Sequence, residues 1–141
     1  MEMMIQNRQQ MYLATTFDLN KETAISKLNA FLTENGIVEP KRYFAQLVTI
    51  QRTNVTTTYI EYAVVSKDTV STKDVNVGKM GEGQNLVIRV DKDEFESYKM
   101  GESKQEIKTF LKDRKMRLDN VYIFPYMDMD GDDYIIYTPV K

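Results

Sequence analysis

One order of sequence patterns occurs twice in this chain, and the repetition limits the folds open to it. Met11–Asp18 is β-branched and aromatic and predicts a strand, and a stripe of apolar residues with a helical period follows between Asn20 and Gly36. Two further strand patterns, at residues 43–52 and 57–66, predict a hairpin. The first part of the chain therefore predicts a strand–helix–strand–strand unit.

The same order returns in the second half of the chain. Residues 85–91 predict a strand, residues 103–118 predict an amphipathic helix, and residues 121–130 and 133–140 predict a second hairpin. Asp130-Gly131 marks the turn of this hairpin, because Asp-Gly is typical of two-residue hairpin loops. The second half is therefore predicted to be another strand–helix–strand–strand unit.

The two copies can be set in register. An offset of 79 residues places Tyr43 on Tyr122 and aligns the apolar positions of the two helices. An offset of 75 residues places Tyr59 on Tyr134 and aligns the last strands. Three strands and one helix bury too little apolar surface to be stable alone. We therefore predict a single domain, residues 1–141, with repeat one at about 11–66, a linker at 67–84 and repeat two at about 85–141.

The predicted fold class is α+β, in which the duplicated strand–helix–strand–strand units form an antiparallel sheet with two helices on one face. Within the linker, residues 72–77 are candidates for a short extra strand or a turn. The methionines Met1, Met3 and Met4 are expected to belong to a frayed end, with an adaptable contact surface as the other interpretation.

The chain of 141 residues contains neither cysteine nor histidine. This composition excludes disulfides, thiolate nucleophiles, zinc sites built from these ligands and proton transfer through imidazole. The net charge of −2 gives no indication of a nucleic-acid partner, and no apolar run approaches the roughly 18 residues of a membrane span. We expect a cytoplasmic protein with no cofactor, no metal site, and neither nucleic acid nor a membrane as a partner.

The chain ends in the sequence YIIYTPVK, an apolar-x-apolar-Pro-apolar pattern that follows the repeated element order. This combination resembles the GyrI-like small-molecule-binding superfamily, which includes effector-binding domains of multidrug-responsive regulators and stand-alone bacterial proteins. The resemblance implies a central cleft between the repeats and a stand-alone member from a Gram-positive bacterium. In the family a glutamate often stands four residues before the proline, where it meets cationic ligands. That position here is Ile135, so the resemblance supports the fold better than cation recognition.

Strand alternation suggests which side chains line such a cleft. Ile60, Tyr62 and Val64 form the more apolar set on their strand, and we predict that they pack on the helices. The alternate set then faces the cleft, and the repeat register adds the equivalent positions of the second unit. The predicted ligand-binding residues are Tyr59, Glu61, Tyr134 and Ile136. Tyrosine rings beside one carboxylate suit a cationic or aromatic ligand, although tyrosine is also an ordinary residue of half-buried strands.

Three other sequence patterns give weaker indications of a functional site. The acidic run Asp128–Asp133 fails as a calcium loop, because the sixth position lacks glycine and the twelfth lacks glutamate, and it is interpreted as a solvated hairpin tip. The glycine-rich residues 78–83 lack the spacing of a phosphate-binding loop. Lys104, Lys108, Lys112 and Lys115 line one side of the predicted helix, which suits a phosphate backbone, an acidic protein surface or simply solvent.

The function predicted from these patterns is a non-enzymatic binding module, monomeric or weakly dimeric, for a small hydrophobic or cationic molecule in the cleft. A second hypothesis is a protein-interaction or chaperone-like accessory factor of a secretion or toxin system, acting through strand edges or the N-terminal methionines. A third is a hydrolase that uses Glu61 and a tyrosine for acid–base catalysis.

Overall fold

The computed structural model describes residues 1–119 and 125–141, and its fold class is α+β, as predicted. All strand pairs recorded among these residues are antiparallel. In chain order the elements are β1 (Glu2–Arg8), β2 (Met11–Asp18), α1 (Lys21–Glu34), β3 (Arg42–Gln51), β4 (Asn54–Val65), β5 (Asn76–Met80), β6 (Gly83–Val90), α2 (Lys92–Lys99), α3 (Lys104–Asp113), β7 (Tyr126–Asp130) and β8 (Asp133–Val140).

The described residues form two compact units. Unit 1 consists of Met1–Arg8 and Gly83–Lys141, and unit 2 consists of Gln9–Glu82. In unit 1, β6 lies between β1 and β8, and β7 pairs with the other edge of β8. In unit 2, β4 pairs with β3 and β2, and β2 pairs on its other edge with β5.

Helix α1 follows the predicted signals. The Asn20 side chain accepts a hydrogen bond from the Thr23 backbone N–H at 3.0 Å, which satisfies a free donor of the first turn. Gly36 follows the helix with a φ of +64°, a conformation that favours glycine. The apolar stripe of α1 packs on the small side chains of β2 and β4, and the core of unit 2 consists of Ala14, Leu28, Phe31, Leu32, Ala63, Val65 and Val75.

Helix α2 is held by a capping box that sequence patterning missed. The Asp91 side chain accepts from the Glu94 backbone N–H at 2.8 Å, and the Glu94 side chain accepts from the Asp91 N–H at 3.0 Å. The amino group of Met1 forms an ion pair with the same Glu94 carboxylate. Phe95, the buried residue of α2, therefore enters the core of unit 1 from a helix that is fixed at its first turn.

The first strands of the two repeats are exchanged. β1 precedes β2 in the chain yet pairs with β6, whereas β5 precedes β6 yet pairs with β2. The repeated order is therefore strand–strand–helix–strand–strand, with two helices in the second copy, and the outer strand of each unit comes from the other repeat. This exchange explains why unit 1 combines the start and the end of the chain.

Several predicted boundaries are confirmed and others are wrong. β2 and β8 match the predicted ranges, and the linker does contain a strand, β5, although it covers Asn76–Met80 and shares only two residues with the suggested range 72–77. The N-terminal segment is strand β1 and not a frayed end. The helix predicted at 103–118 corresponds to the shorter helix α3, and an additional helix, α2, precedes it. Part of the predicted strand 121–130 and the position of Tyr122 lie outside the described residues.

Candidate functional site

In unit 2, the strand face on which α1 packs is the one predicted to be free of helices. The Thr16 hydroxyl donates to the Ala24 carbonyl of α1 at 2.7 Å, and Thr16 lies directly opposite Glu61 in the β2–β4 register. Residues directly opposite in a ladder share a face, so Glu61 and Tyr59 lie on the helix side. The predicted orientation of these two residues is therefore wrong.

The reason for the inversion is the size of the side chains beneath the helix. Ala14 and Ala63 are opposite each other and fully buried, and together they leave room for Leu28 and Phe31 of α1. Close packing rewards such complementarity of large and small side chains. The more hydrophobic set of side chains on a strand is therefore not always the set that faces the helix, because a helix can also pack on small alanine side chains.

Glu61 occupies a partly buried position near two cations. Burial raises the pKa of the Glu61 carboxyl, and the charges of Lys21 and Arg42 lower it in part. Arg42 is oriented by a 2.6 Å hydrogen bond to the Asn29 side chain. A carboxyl with a raised pKa next to two cations is compatible with an ionic structural role on the helix side as well as with acid–base chemistry.

In unit 1, the two predicted residues of β8 lie beneath α2. The Phe95 ring stacks on the Tyr134 ring with centroids 3.8 Å apart, and Tyr98 of the same helix makes a side-chain hydrogen bond with Thr138. Ile136 lies between them on the same face and is fully buried. The prediction that Tyr134 and Ile136 face away from the helices is wrong, because alternation along β8 puts both of them on the face under α2.

The other face of each sheet, which we call the distal face, points away from the helix packed on that unit. In unit 1 the distal face contains a cavity of about 340 Å³ at the β1 side of the sheet. It is lined by residues of β1, β6 and β8, namely Glu2, Met3, Met4, Gln6, Val87, Arg89, Ile135 and Tyr137. Sequence patterning missed this site because half of its lining comes from β1.

The wall of the cavity is aromatic and aliphatic, and its position is fixed by a buried polar network. The Tyr137 ring stacks on Tyr126 with centroids 5.0 Å apart. The Tyr126 hydroxyl accepts from the Asn85 amide at 2.8 Å, and the Asn85 carbonyl oxygen accepts from Arg8 at 2.6 Å. Asn85 and Tyr126 are both buried, so Tyr137 rests on a support with few alternative arrangements.

The charges around the cavity are unequal. Arg89 donates to Asp130 at 2.7 Å and to Asp133 at 2.9 Å, which uses its guanidinium as a clamp on the β7–β8 hairpin. Glu2 lies directly opposite Arg89 on β1, and among the residues that the structure describes it has no ion-pair partner. Three carboxylates thus accompany one guanidinium, and the electrostatic potential at this end of the cavity favours a cation.

The register also accounts for Ile135, the position at which the GyrI-like resemblance predicts a glutamate. Ile135 faces the cavity, directly opposite Arg89. A carboxylate at this position would lie next to the guanidinium that already clamps two aspartates. The exposed carboxylate of this cavity is instead supplied by Glu2, from the strand that comes from the other repeat.

The remaining motifs behave as surface features. The β7–β8 hairpin turns at Gly131 with a φ of +61°, as predicted from Asp130-Gly131. The residues described by the structure contain no group of three acidic side chains able to hold a metal ion, and none of their helices is long and apolar enough to cross a membrane.

Comparisons with known proteins support the fold. No protein-family model matches the chain, and no curated protein matches it. A hydrolase from Listeria innocua is 13% identical with a TM-score of 0.64, over 99% of this chain and 92% of that one. The C-terminal domain of EcmrR is 10% identical with a TM-score of 0.56, over 99% of this chain and 97% of that one. At these identities the similarity establishes a shared α+β fold and leaves the function to the site itself.

Proposed function

We propose that this chain is a non-enzymatic binding module of the GyrI-like type that binds a small hydrophobic cation in the distal-face cavity of unit 1. The observation that carries the proposal is the cavity itself, with its methionine, tyrosine and aliphatic lining and the carboxylate of Glu2. Ligand sites are typically apolar hollows of a few hundred Å³ with a small number of placed polar groups. The similarity of the fold to the EcmrR C-terminal domain is consistent with this proposal.

The side chains suit a flat or bulky cation. Met4 is flexible and polarizable, so its side chain adapts to ligands of different shape. The face of the Tyr137 ring attracts positive charge, and Glu2 supplies the opposite charge at the rim. Arg89 does not oppose this preference, because Asp130 and Asp133 neutralise it.

The proposed ligand site does not include the ligand-binding residues that the sequence predicts. Tyr134 and Ile136 face α2 in unit 1, on the side of β8 opposite to the cavity. A ligand role for Tyr59 and Glu61 stays a prediction, and it would have to operate on the α1 side of unit 2. Hydrolysis by Glu61 likewise stays a prediction, supported by the raised pKa of its carboxyl and by the hydrolase name of one structural neighbour.

A protein-interaction function is the second candidate, and strand β1 favours it. β1 lies at an edge of the unit 1 sheet and contains no proline, lysine or glycine of the kind that protects edges from pairing. Met4 on this strand is 51% exposed. An extended peptide could add to this edge by β-augmentation, and a tight stoichiometric protein partner without a bound small molecule would favour this candidate.

Calorimetric titration with tetraphenylphosphonium, a hydrophobic cation, and with neutral triphenylphosphine oxide tests the proposal. Saturable binding of the cation is expected, and Glu2→Gln should weaken it about fivefold while leaving the neutral compound unaffected, as for loss of one exposed charge pair. Glu82→Gln, an exposed glutamate of unit 2, is the matched control.

A second pair of variants tests the apolar wall. Met4→Lys places a cation at the cavity and should abolish binding of the phosphonium ion, whereas Leu19→Lys, at an exposed apolar site of unit 2, should leave binding unchanged. Equal effects of the two lysine variants would overturn the location of the site. Absence of saturable binding to wild-type protein would overturn the ligand class.

A further inference from the structure

The segment that begins with α3 and continues to Arg117 is rich in basic residues. Six of the fourteen residues from Lys104 to Arg117 are basic and two are acidic, in a chain whose overall net charge is −2. The basic residues of this segment are Lys104, Lys108, Lys112, Arg114, Lys115 and Arg117. We call them the α3 basic patch.

Most cations of the patch have no ion-pair partner among the residues that the structure describes. Arg89 and Lys27 form ion pairs with aspartates. Within the described residues, no carboxylate lies within ion-pair distance of the patch lysines or of Arg117. Arg114 stacks its guanidinium over the Phe110 ring at 3.5 Å. The patch therefore presents positive charge that the protein itself does not neutralise.

The helix separates these cations from its own acids. With 3.6 residues per turn, Lys104, Lys108 and Lys112 form one row that drifts by about 80° around α3. Glu106 and Asp113 lie about 100° or more from the nearest lysine of that row. The row is exposed along its length, and the buried Leu111 anchors the neighbouring side of the helix to the protein.

Two apolar side chains are exposed at the two ends of this segment. Met100, at the end of α2, is 67% exposed, and Leu118, just after the patch, is 46% exposed. The backbone of Arg117 forms hydrogen bonds in both directions with that of Lys141, whose ammonium pairs with Asp119 at 3.7 Å and therefore adds no unpaired charge to the patch. Lysine rows accompanied by exposed apolar side chains are typical of protein surfaces that lie on an anionic bilayer.

We propose that the α3 basic patch docks this protein peripherally on anionic lipid, with its lysines at the headgroups and Met100 and Leu118 in the interface. A nucleic-acid duplex could also place its phosphates on these lysines, but its backbone makes no use of the exposed apolar side chains of Met100 and Leu118, which favour lipid. An acidic protein surface would not by itself account for exposed apolar residues at both ends of the row. The contact is peripheral because no described helix can span a bilayer.

Co-sedimentation with vesicles of phosphatidylglycerol and phosphatidylcholine in equal parts tests this proposal, with pure phosphatidylcholine vesicles as the reference. Binding is expected only to the anionic vesicles and should fall steeply with salt. The combined variant Lys108→Gln, Lys112→Gln, Lys115→Gln should reduce the partition about 100-fold, if each lysine contributes the roughly fivefold effect typical of basic residues at such surfaces.

The matched control changes the same net charge elsewhere. Lys67→Gln, Lys73→Gln, Lys79→Gln removes three exposed lysines of unit 2 and should retain nearly all of the partition. Met100→Ser with Leu118→Ser should remove the part of binding that persists at high salt. Equal losses in the two lysine variants, or binding to a mixed-sequence DNA duplex that exceeds vesicle binding and is lost with the same lysines, would overturn the proposal. Circular dichroism confirms that each variant is folded.

Discussion

The Phe95 ring of α2 lies parallel to the Tyr134 ring of β8, with centroids 3.8 Å apart and an interplanar angle of 13°. The Lys99 ammonium also lies over the Phe95 ring, 4.9 Å from its centroid. Phe95 is the only buried residue of α2 among its eight positions, so this stack is the main attachment of the helix to the sheet of unit 1.

Replacement of Phe95 should therefore lower the free energy of unfolding strongly. Phe95→Ala removes a fully buried ring and leaves a cavity above Tyr134, for which a loss of about 3–5 kcal/mol in the free energy of unfolding is expected. Urea denaturation followed by circular dichroism measures this loss. Leu19→Ala, at an exposed position, should change stability by less than about 0.5 kcal/mol. A similar small effect for Phe95→Ala would show that α2 is not anchored by this ring.

Replacement of the Asn85 amide should also lower the stability of unit 1. This amide donates to the Tyr126 hydroxyl and accepts from Arg8, and Asn85 is 4% exposed. Asn85→Ala leaves two buried polar partners with fewer bonds, so a loss of about 2–3 kcal/mol is expected. Asn76→Ala, at an exposed position of β5, is the control in the same denaturation experiment. A loss no greater than that of the control would contradict the network.

Most of the fold follows from local patterns. Helix α1 is predicted because Asn20, the apolar stripe and Gly36 all agree, and β8 is predicted by a continuous strand pattern after a glycine turn. β1 and α2 were missed for different reasons. β1 has a run of apolar residues (3–5) followed by a run of polar ones (6–8), so it lacks the alternation of a strand, and it is stabilised by pairing with β6, far away in sequence. Helix α2 has one buried residue and depends on its capping box.

The site was harder to predict than the fold. The choice of faces on β4 and β8 depended on which alternate set of side chains is more hydrophobic, but α1 packs on Ala14 and Ala63. Shape complementarity between large and small side chains is not visible in a single strand. The cavity depends on the strand exchange that brings Glu2 and Met4 beside β6, and that long-range pairing leaves no local signal.

The pKa of Glu61 gives a prediction for the pH dependence of stability. Burial raises the pKa of this carboxyl in the folded protein above its usual value of 4.5, so the folded state favours the protonated form. This contribution is complete below pH 4.5 and is lost as the pH rises through the raised pKa. The free energy of unfolding of wild-type protein should therefore decline across that window relative to Glu61→Gln. Parallel pH profiles would contradict it, and Glu34→Gln provides the control.

The Tyr62 hydroxyl gives a second prediction, which concerns the stability of the protein at alkaline pH. Burial raises the pKa of this hydroxyl from 10.0 to about 12, so the folded state resists ionisation. Stability from this group is complete below pH 10 and is lost as the pH rises toward 12, by up to about 2–3 kcal/mol. Tyr62→Phe should flatten this decline, while Tyr59→Phe should not. Identical alkaline profiles for the two variants would show that Tyr62 is not the responsible group.

The most direct test of the proposed site is a methyl NMR titration with tetraphenylphosphonium on protein labelled at the methionine methyl groups. Met4 lines the cavity of unit 1, on the face of β1 opposite Val87, whereas Met80 is buried in unit 2 and serves as an internal reference. Saturable shifts of the Met4 signal are expected, with the Met80 signal unmoved, and Glu2→Gln should bind more weakly. Saturable binding that leaves the Met4 signal unshifted would contradict a ligand site on the distal face of unit 1.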